Sequence, residues 1–278
     1  MVEKRLSVSD VENLSYYDFM GFVGVSFFSI GGPVSTIKLA KHCGVGKDSN
    51  ILEVGCGTGF NACQIAKEFG CRVTGVDIAE VSVQRAVERA VREGLSDKVG
   101  FRVADAYKLP FADESFDVVY TSFVSQFLDM KKALAEFRRV LKSGGVAGIN
   151  EMYKDAEIPA EPATEISEAE DILREITGLP FKLRTPAEWS QIFQDAGFAN
   201  VEVRMSQEYV GIKDSLQVIR ELGGFGALIK TLFKTSKYAL QSKVIRSRFA
   251  KLQKTKVTFM RKKSTAKHVG YVLATGKK

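Results

Sequence analysis

The sequence predicts an α/β protein, a doubly wound sheet of seven mostly parallel strands with helical insertions. Three observations lead there. From residue 50 onward, short apolar runs alternate with segments of helical period. Such alternation with short links implies parallel strands and right-handed crossovers. The first run, "NILEV" (50–54), is apolar almost throughout, as a strand covered on both faces requires. The helical segments stop at glycines such as Gly70 and Gly94, which readily take the left-handed conformation that closes a helix.

In chain order, a helix through "NACQIAKEF" follows the first strand, and "CRVTGVD" (71–77) is the second. Val81, Ala86, Val87, Ala90 and Val91 recur at helical spacing over 80–94. Strands are expected at 99–105 and 116–122, then a glycine-capped helix over 131–145 and a fifth strand at 146–152. "RTPAEWSQIFQDAGF" (184–198) carries a capping box, Thr185 with Glu188, a first-turn Pro186 and a closing Gly197. Strands at 201–205 and 268–276 complete the sheet. The expected organisation is an N-terminal helical lid and lead-in (1–49), a core (50–212 with 264–278), an acidic cap (155–178) and a basic helical insertion (213–263).

Composition narrows the class. Hydrophobic residues at 45% and a mean hydropathy of −0.05 describe an ordinary globule. The run Phe19 to Ile30 is shorter than the roughly 20 residues a spanning helix needs, and it lacks secretory flanks. The expected compartment is the cytoplasm, with membrane-surface association open. Cys43, Cys56, Cys63 and Cys71 form no C-x-x-C pair and only two histidines exist. They read as small buried hydrophobes, and no metal is expected. The net charge of +7 hides a skew: residues 213–278 hold 17 Lys/Arg against Asp214 and Glu221, while residues 1–212 are net acidic. A skew of this kind asks for an interface.

The first strand runs into "GCGTGF" (55–60). A P-loop is excluded, because no lysine stands where that loop requires one, and a dinucleotide fingerprint fails because position 60 is Phe. Glu53-x-Gly55-x-Gly57-x-Gly59 instead resembles motif I of the class I S-adenosylmethionine-dependent methyltransferases, a Rossmann-like fold. "VADAYKLPFADESFDVVY" (103–120) and "RRVLKSGG" (138–145) resemble the family's next motifs, so the likeness covers residues 50–152. It implies S-adenosylmethionine as cofactor. Glu53 would face the ligand's ammonium, and Gly55, Gly57 and Gly59 would let backbone approach it. Asp77 would accept both ribose hydroxyls, Asp105 the adenine amine, and the backbone of Ala106 would meet another ring nitrogen. Ile78 and Ser122 join that set. Residues 26–45 resemble the lead-in of quinone and tocopherol C-methyltransferases and phosphoethanolamine N-methyltransferases, which would add Tyr17 and Ser29.

Methyl transfer from a sulfonium is an in-line displacement, governed mainly by alignment and exclusion of water. A base is needed only when the accepting atom arrives protonated. Glu151 and Tyr120 are the catalytic candidates at the carboxyl edge of the sheet. Gln126 stands where many relatives place histidine, and it cannot serve as a base. "TSFV" after strand four lacks the (N/D)-P-P-(Y/F) tetrad of many nucleic-acid N-methyltransferases, and no specific nucleic acid is expected. Arsenite methylation needs further cysteines beyond Cys71, and none is present. A small-molecule or lipid-like acceptor remains. The alternatives are an RNA methyltransferase and a cofactor-binding protein without turnover. Within 213–263, Phe225, Leu228, Ile229, Leu232 and Phe233 form an apolar stripe among lysines. That stripe is expected to pack over the cleft, with peripheral membrane contact as the alternative.

Overall fold

The computed structural model describes residues 6–15, 18, 19, 22, 31–207 and 224–278. Seven strands, β1 (Asn50–Val54), β2 (Arg72–Asp77), β3 (Val99–Val103), β4 (Phe116–Ser122), β5 (Leu141–Lys154), β6 (Ala199–Ser206) and β7 (Val269–Lys277), form one sheet. Their order is β3-β2-β1-β4-β5-β7-β6. β7 runs antiparallel to both neighbours and the other pairs are parallel. β1 and β4 are neighbours across the point where the strand order reverses, so the crevice for a ligand opens above their carboxyl ends.

The α-helices bounded by described residues are α1 (Val8–Glu12), α2 (Gly32–His42), α3 (Phe60–Phe69), α4 (Glu80–Arg92), α5 (Met130–Val140), α6 (Ala160–Thr177), α7 (Pro186–Asp195), α8 (Gly224–Gln241), α9 (Lys243–Met260) and α10 (Lys263–Ala266). Adjacent residues of β1 enter different cores. Ile51 packs with Leu39, Cys63 and Val73, while Leu52 packs with Val119, Leu134 and Phe137. Burying each such side chain contributes about 1.5–3 kcal/mol, which is why the strand reads as continuously apolar. All four cysteines are buried. The capping box at Thr185 and Glu188 forms as the sequence predicts.

The expected helix over 131–145 ends at Val140. Leu141 is extended and pairs with Phe116, and the register then jumps to Val118–Val146. Gly144, at φ 75°, serves this irregularity instead of a helix cap. The third strand also stops at Val103, leaving Asp105 in the following turn, bridged to Lys108.

Part of the charge skew resolves inside the molecule. α6 is the acidic cap and α9 the basic insertion, and they lie side by side. Lys251 pairs with Glu175, Lys254 with Glu168 at 3.4 Å and Lys262 with Glu165 at 2.5 Å. Exposed pairs contribute only about 0–1 kcal/mol each, so their main effect is register. Leu252 and Phe259 of α9 join Ile166 and Leu173 of α6 in the core beneath.

The N-terminal segment packs on the same unit. Val11, Phe19, Phe22 and Ile245 form a small core of their own, and the Tyr238 hydroxyl donates to the Leu6 carbonyl at 2.7 Å. The apolar stripe does not cover the cleft. Phe225, Ile229, Leu232 and Phe233 are 59%, 54%, 55% and 77% exposed. The face of α8 that packs inward carries Tyr238, against Phe22. The helical pattern expected in "SLQVIREL" (215–222) lies outside the described residues.

Candidate active site

Gly55, Gly57 and Gly59 all adopt positive φ, 78°, 50° and 76°. Their surroundings separate them. A Cβ on Gly55 would stand 2.4 Å from a Val124 methyl, and one on Gly59 would stand 2.6 Å from the Phe101 ring and 2.8 Å from the Ala86 Cβ. These two glycines are required by packing. A Cβ on Gly57 would meet nothing within 4 Å. The middle of the turn is bare backbone facing open space, the shape a ligand's close approach demands.

Glu53 leads into this turn, Asp77 bonds to it, and Asp105 stands in the separate turn after β3. Glu53 is fully buried, and neither carboxylate oxygen makes a hydrogen bond of normal geometry. Burial pushes its pKa up to about 8. The nearby Tyr120 hydroxyl and Asn61 pull it down without reaching good hydrogen-bond geometry, and the charge of Asp77 pushes it further up. An orphaned buried carboxylate behind an open glycine turn fits a cationic ligand group. Asp77 Oδ2 accepts from the Gly57 N–H at 2.8 Å and Oδ1 from the Ala79 N–H at 2.9 Å. Asp77 therefore ties the ends of β1 and β2 together, while lone pairs remain on both oxygens for hydroxyl donors. Burial raises its pKa, and Asp18 of the N-terminal segment adds to the rise. Asp105 is exposed, and among the described residues its carboxylate accepts from the Tyr107 N–H, at 2.9 Å. Ile78, 64% exposed, and half-buried Ala106 stand in the loops after β2 and β3.

Glu53 gives a stability prediction. Its folded pKa lies above the ordinary value, so the unfolded chain releases this proton first, and stability falls as pH rises between about 4.5 and about 8. Glu53→Gln is expected to raise stability at pH 8.5 by on the order of a few kcal/mol, with a higher Tm, and to change both little at pH 5. Scanning calorimetry at the two pH values checks this. An equal effect at both would contradict the burial of an uncompensated carboxyl.

Tyr120 requires a correction. It is the register partner of Glu53, buried two residues short of the strand end, and burial raises its pKa well above the phenol value. Such a group cannot act as a base at neutral pH. Glu151 likewise does not end its strand, because β5 continues to Lys154 and the carboxyl is fully buried. Glu151 Oε1 accepts from the Val124 and Ser125 N–H groups at 2.7 and 2.6 Å, pinning the loop after β4, while Oε2 has no partner. Burial lifts its pKa to about 7, against the pull of those two amides and of Arg184. Gln126 is committed to the Met152 carbonyl, at 2.6 Å.

Ser122 is buried in a polar knot. The Asn150 side-chain amide approaches the oxygens of Ser35, Thr36 and Ser122 at 2.8, 3.3 and 3.0 Å, fastening α2 to the carboxyl end of the sheet. Tyr17 and Ser29 lie outside the described residues.

Three features went unseen in the sequence: Asn150 in this knot, Arg184 over the Trp189 ring, and a His268–Asp155 pair at 3.0 Å. The lone asparagine within the apolar run of strand five was the one available signal. A surface depression of about 660 Å³ lies at the opposite edge of the sheet, lined by Glu114, Arg138 and Lys278, and holds none of the site residues.

Comparisons with known proteins agree with this arrangement. Residues 52–149 match the methyltransferase domain family. An uncharacterized protein of Haemophilus influenzae is 34% identical over 189 residues, 67% of this chain and 72% of that protein. Sterol 24-C-methyltransferase ERG6B of Gibberella zeae is 43% identical over 114 residues, 41% of this chain and 30% of that protein. Phosphoethanolamine N-methyltransferase 1 of Arabidopsis thaliana is 32% identical over 179 residues, 64% and 34% respectively. The chain thus spans about a third of the length of these two named enzymes.

Among solved structures, phosphoethanolamine N-methyltransferase 2 of Haemonchus contortus, in complex with phosphomonomethylethanolamine and S-adenosylhomocysteine, superposes with a TM-score of 0.66. It is 22% identical, over 99% of this chain and 61% of that one. At this identity the superposition speaks to the fold. With its strand order, glycine turn and flanking acids, the chain belongs to the class I S-adenosylmethionine-dependent methyltransferases.

Proposed function

We propose that the protein transfers the methyl group of S-adenosylmethionine to a small-molecule or lipid-like acceptor. The observation that carries the reading is the pairing of the open Gly57 backbone with the unpartnered, buried Glu53 carboxylate. When bound, the cofactor supplies an activated methyl on a positive sulfur. The chain's own residues do the positioning. Glu53 takes the ammonium and Asp77 the ribose hydroxyls. Asp105 and the Ala106 backbone take the adenine edge, and Ile78 lies against the ring. Ser122 holds the strand end from which the β4 loop departs.

The acceptor class is supported by the sterol and phosphoethanolamine enzymes among the relatives and by the lack of the nucleic-acid tetrad after β4. The segment 213–263 adds peripheral contact with a membrane surface, where a lipid-like acceptor resides. The cap of α6, α8 and α9 serves the acceptor side. Incubation with methyl-labelled cofactor and separate pools of lipids, quinones, amines and RNA tests the reading. Label is expected in an organic-soluble or small-molecule product. Label confined to RNA, or binding without transfer to any pool, would overturn it.

Glu151 is the remaining base candidate, with its free Oε2 and a pKa of about 7. A base acts when ionised, so activity should rise with pH through about 7. Glu151→Gln keeps an acceptor for the loop amides. It is expected to lower kcat by about a hundredfold and to flatten that rising limb. A preserved limb in the pH profile would reduce Glu151 to holding the loop.

A further inference from the structure

We propose that α8 is an interfacial helix that docks the protein on an anionic lipid surface, with its apolar stripe turned toward the acyl chains. At 100° per residue, Phe225, Ile229, Leu232, Phe233 and Leu240 fall within an arc of about 100°. All five are more than half exposed, and Val244 at the start of α9 is half exposed as well. An outward apolar stripe of this length on a water-facing helix is unusual unless something covers it.

The orientation of the helix is fixed from behind. Tyr238 meets Phe22 edge-on at 5.2 Å, and Lys234 stands over the same ring at 3.8 Å while donating to the Phe22 carbonyl. Turning the stripe inward would break that core.

Charge selects the occupant. No Asp or Glu occurs between residues 222 and 278, and α8 with α9 carries nine Lys/Arg. Lys251 and Lys254 are consumed by glutamates of α6. Lys230, Lys237, Lys243 and Arg246 are exposed and make no ion pair among the described residues. An apolar stripe flanked by unneutralised lysines fits the boundary between acyl chains and anionic headgroups. A second copy would fit poorly, because a two-fold contact through this face would set the same cations against each other. Among the described residues no helix is long and apolar enough to cross a membrane, so α8 would lie in the surface plane. The same unit holds the N-terminal segment whose Asp18 influences Asp77.

The inference deepens the lipid-like reading of the acceptor, yet its test needs no turnover. The full chain is sedimented with vesicles of phosphatidylcholine, with and without phosphatidylserine. At least tenfold stronger binding to the serine-containing vesicles is expected, falling steeply in high salt. Leu232→Glu with Phe233→Glu should abolish it, and Lys230→Glu with Lys237→Glu should abolish the preference for anionic lipid. These side chains are exposed, so both variants should retain the wild-type circular dichroism and cofactor affinity. Equal binding to both vesicle types would overturn the proposal, as would sedimentation that survives the stripe substitutions. Concentration-dependent dimerisation that the stripe substitutions remove would assign the face to a second copy instead. Vesicle binding in a protein that methylates only water-soluble acceptors would leave the docking intact and refute the lipid-like acceptor.

Discussion

Asp77→Ala is expected to raise the dissociation constant for S-adenosylmethionine by about a hundredfold or more, and Asp105→Ala by about tenfold at most. The contrast follows from what each carboxylate holds. Asp77 receives two backbone N–H groups, one from Gly57 in the turn and one from Ala79 at the start of α4. Its loss removes two charge-assisted bonds, each contributing about 1.5–3 kcal/mol, and leaves the turn without its brace. It also removes the proposed acceptor for the ribose. Asp105 braces one exposed amide. Asp77→Asn keeps one oxygen and should fall between wild type and alanine. Titration calorimetry on the three variants checks the order. Equal affinities for wild type and Asp77→Ala would remove Asp77 from the site.

The second large effect separates two glycines two residues apart. Gly57→Ala should cost only about 1–2 kcal/mol of stability, the strain of a left-handed alanine, because its methyl would enter open space. That space is where the ligand backbone is proposed to lie, so affinity for the cofactor should fall about a hundredfold. Gly59→Ala drives its methyl into Phe101 and Ala86, including the Ala86 Cα at 3.1 Å. It should destabilise the protein by about 3 kcal/mol or more. Thermal melts and binding titrations on both variants separate the effects. A Gly57→Ala protein that binds as wild type would show that the open turn is not the ligand's seat.

The central strands were legible because they bury both faces. Ile51 and Leu52 point into different cores, and that leaves an unbroken apolar run in the sequence. The glycine turn was legible because left-handed backbone leaves a residue-type signature. The end of α5 was not. Phe137, Val140 and Leu141 keep a helical spacing past the true terminus, and Gly144 looks like a cap while serving an irregularity between strands.

The partners of the amphipathic insertion were also hidden. Periodicity shows that α8 has two faces, but the inward one meets Phe22, more than 200 residues earlier. The charge skew needed the pairing of α6 with α9, helices some 80 residues apart. In the site, Glu53 and Asp77 could be placed by their spacing to the glycines. The burial of Glu151 could not, because it depends on β5 running two residues past its expected end.

The most direct measurement is calorimetric titration of the purified chain with S-adenosylmethionine and, separately, with its demethylated product. Saturable binding of both at one site per chain is predicted, with competition between them and marked weakening in Gly57→Ala. Absence of saturable binding for either ligand in a folded protein would contradict the assignment of the turn between β1 and α3 as the cofactor's seat.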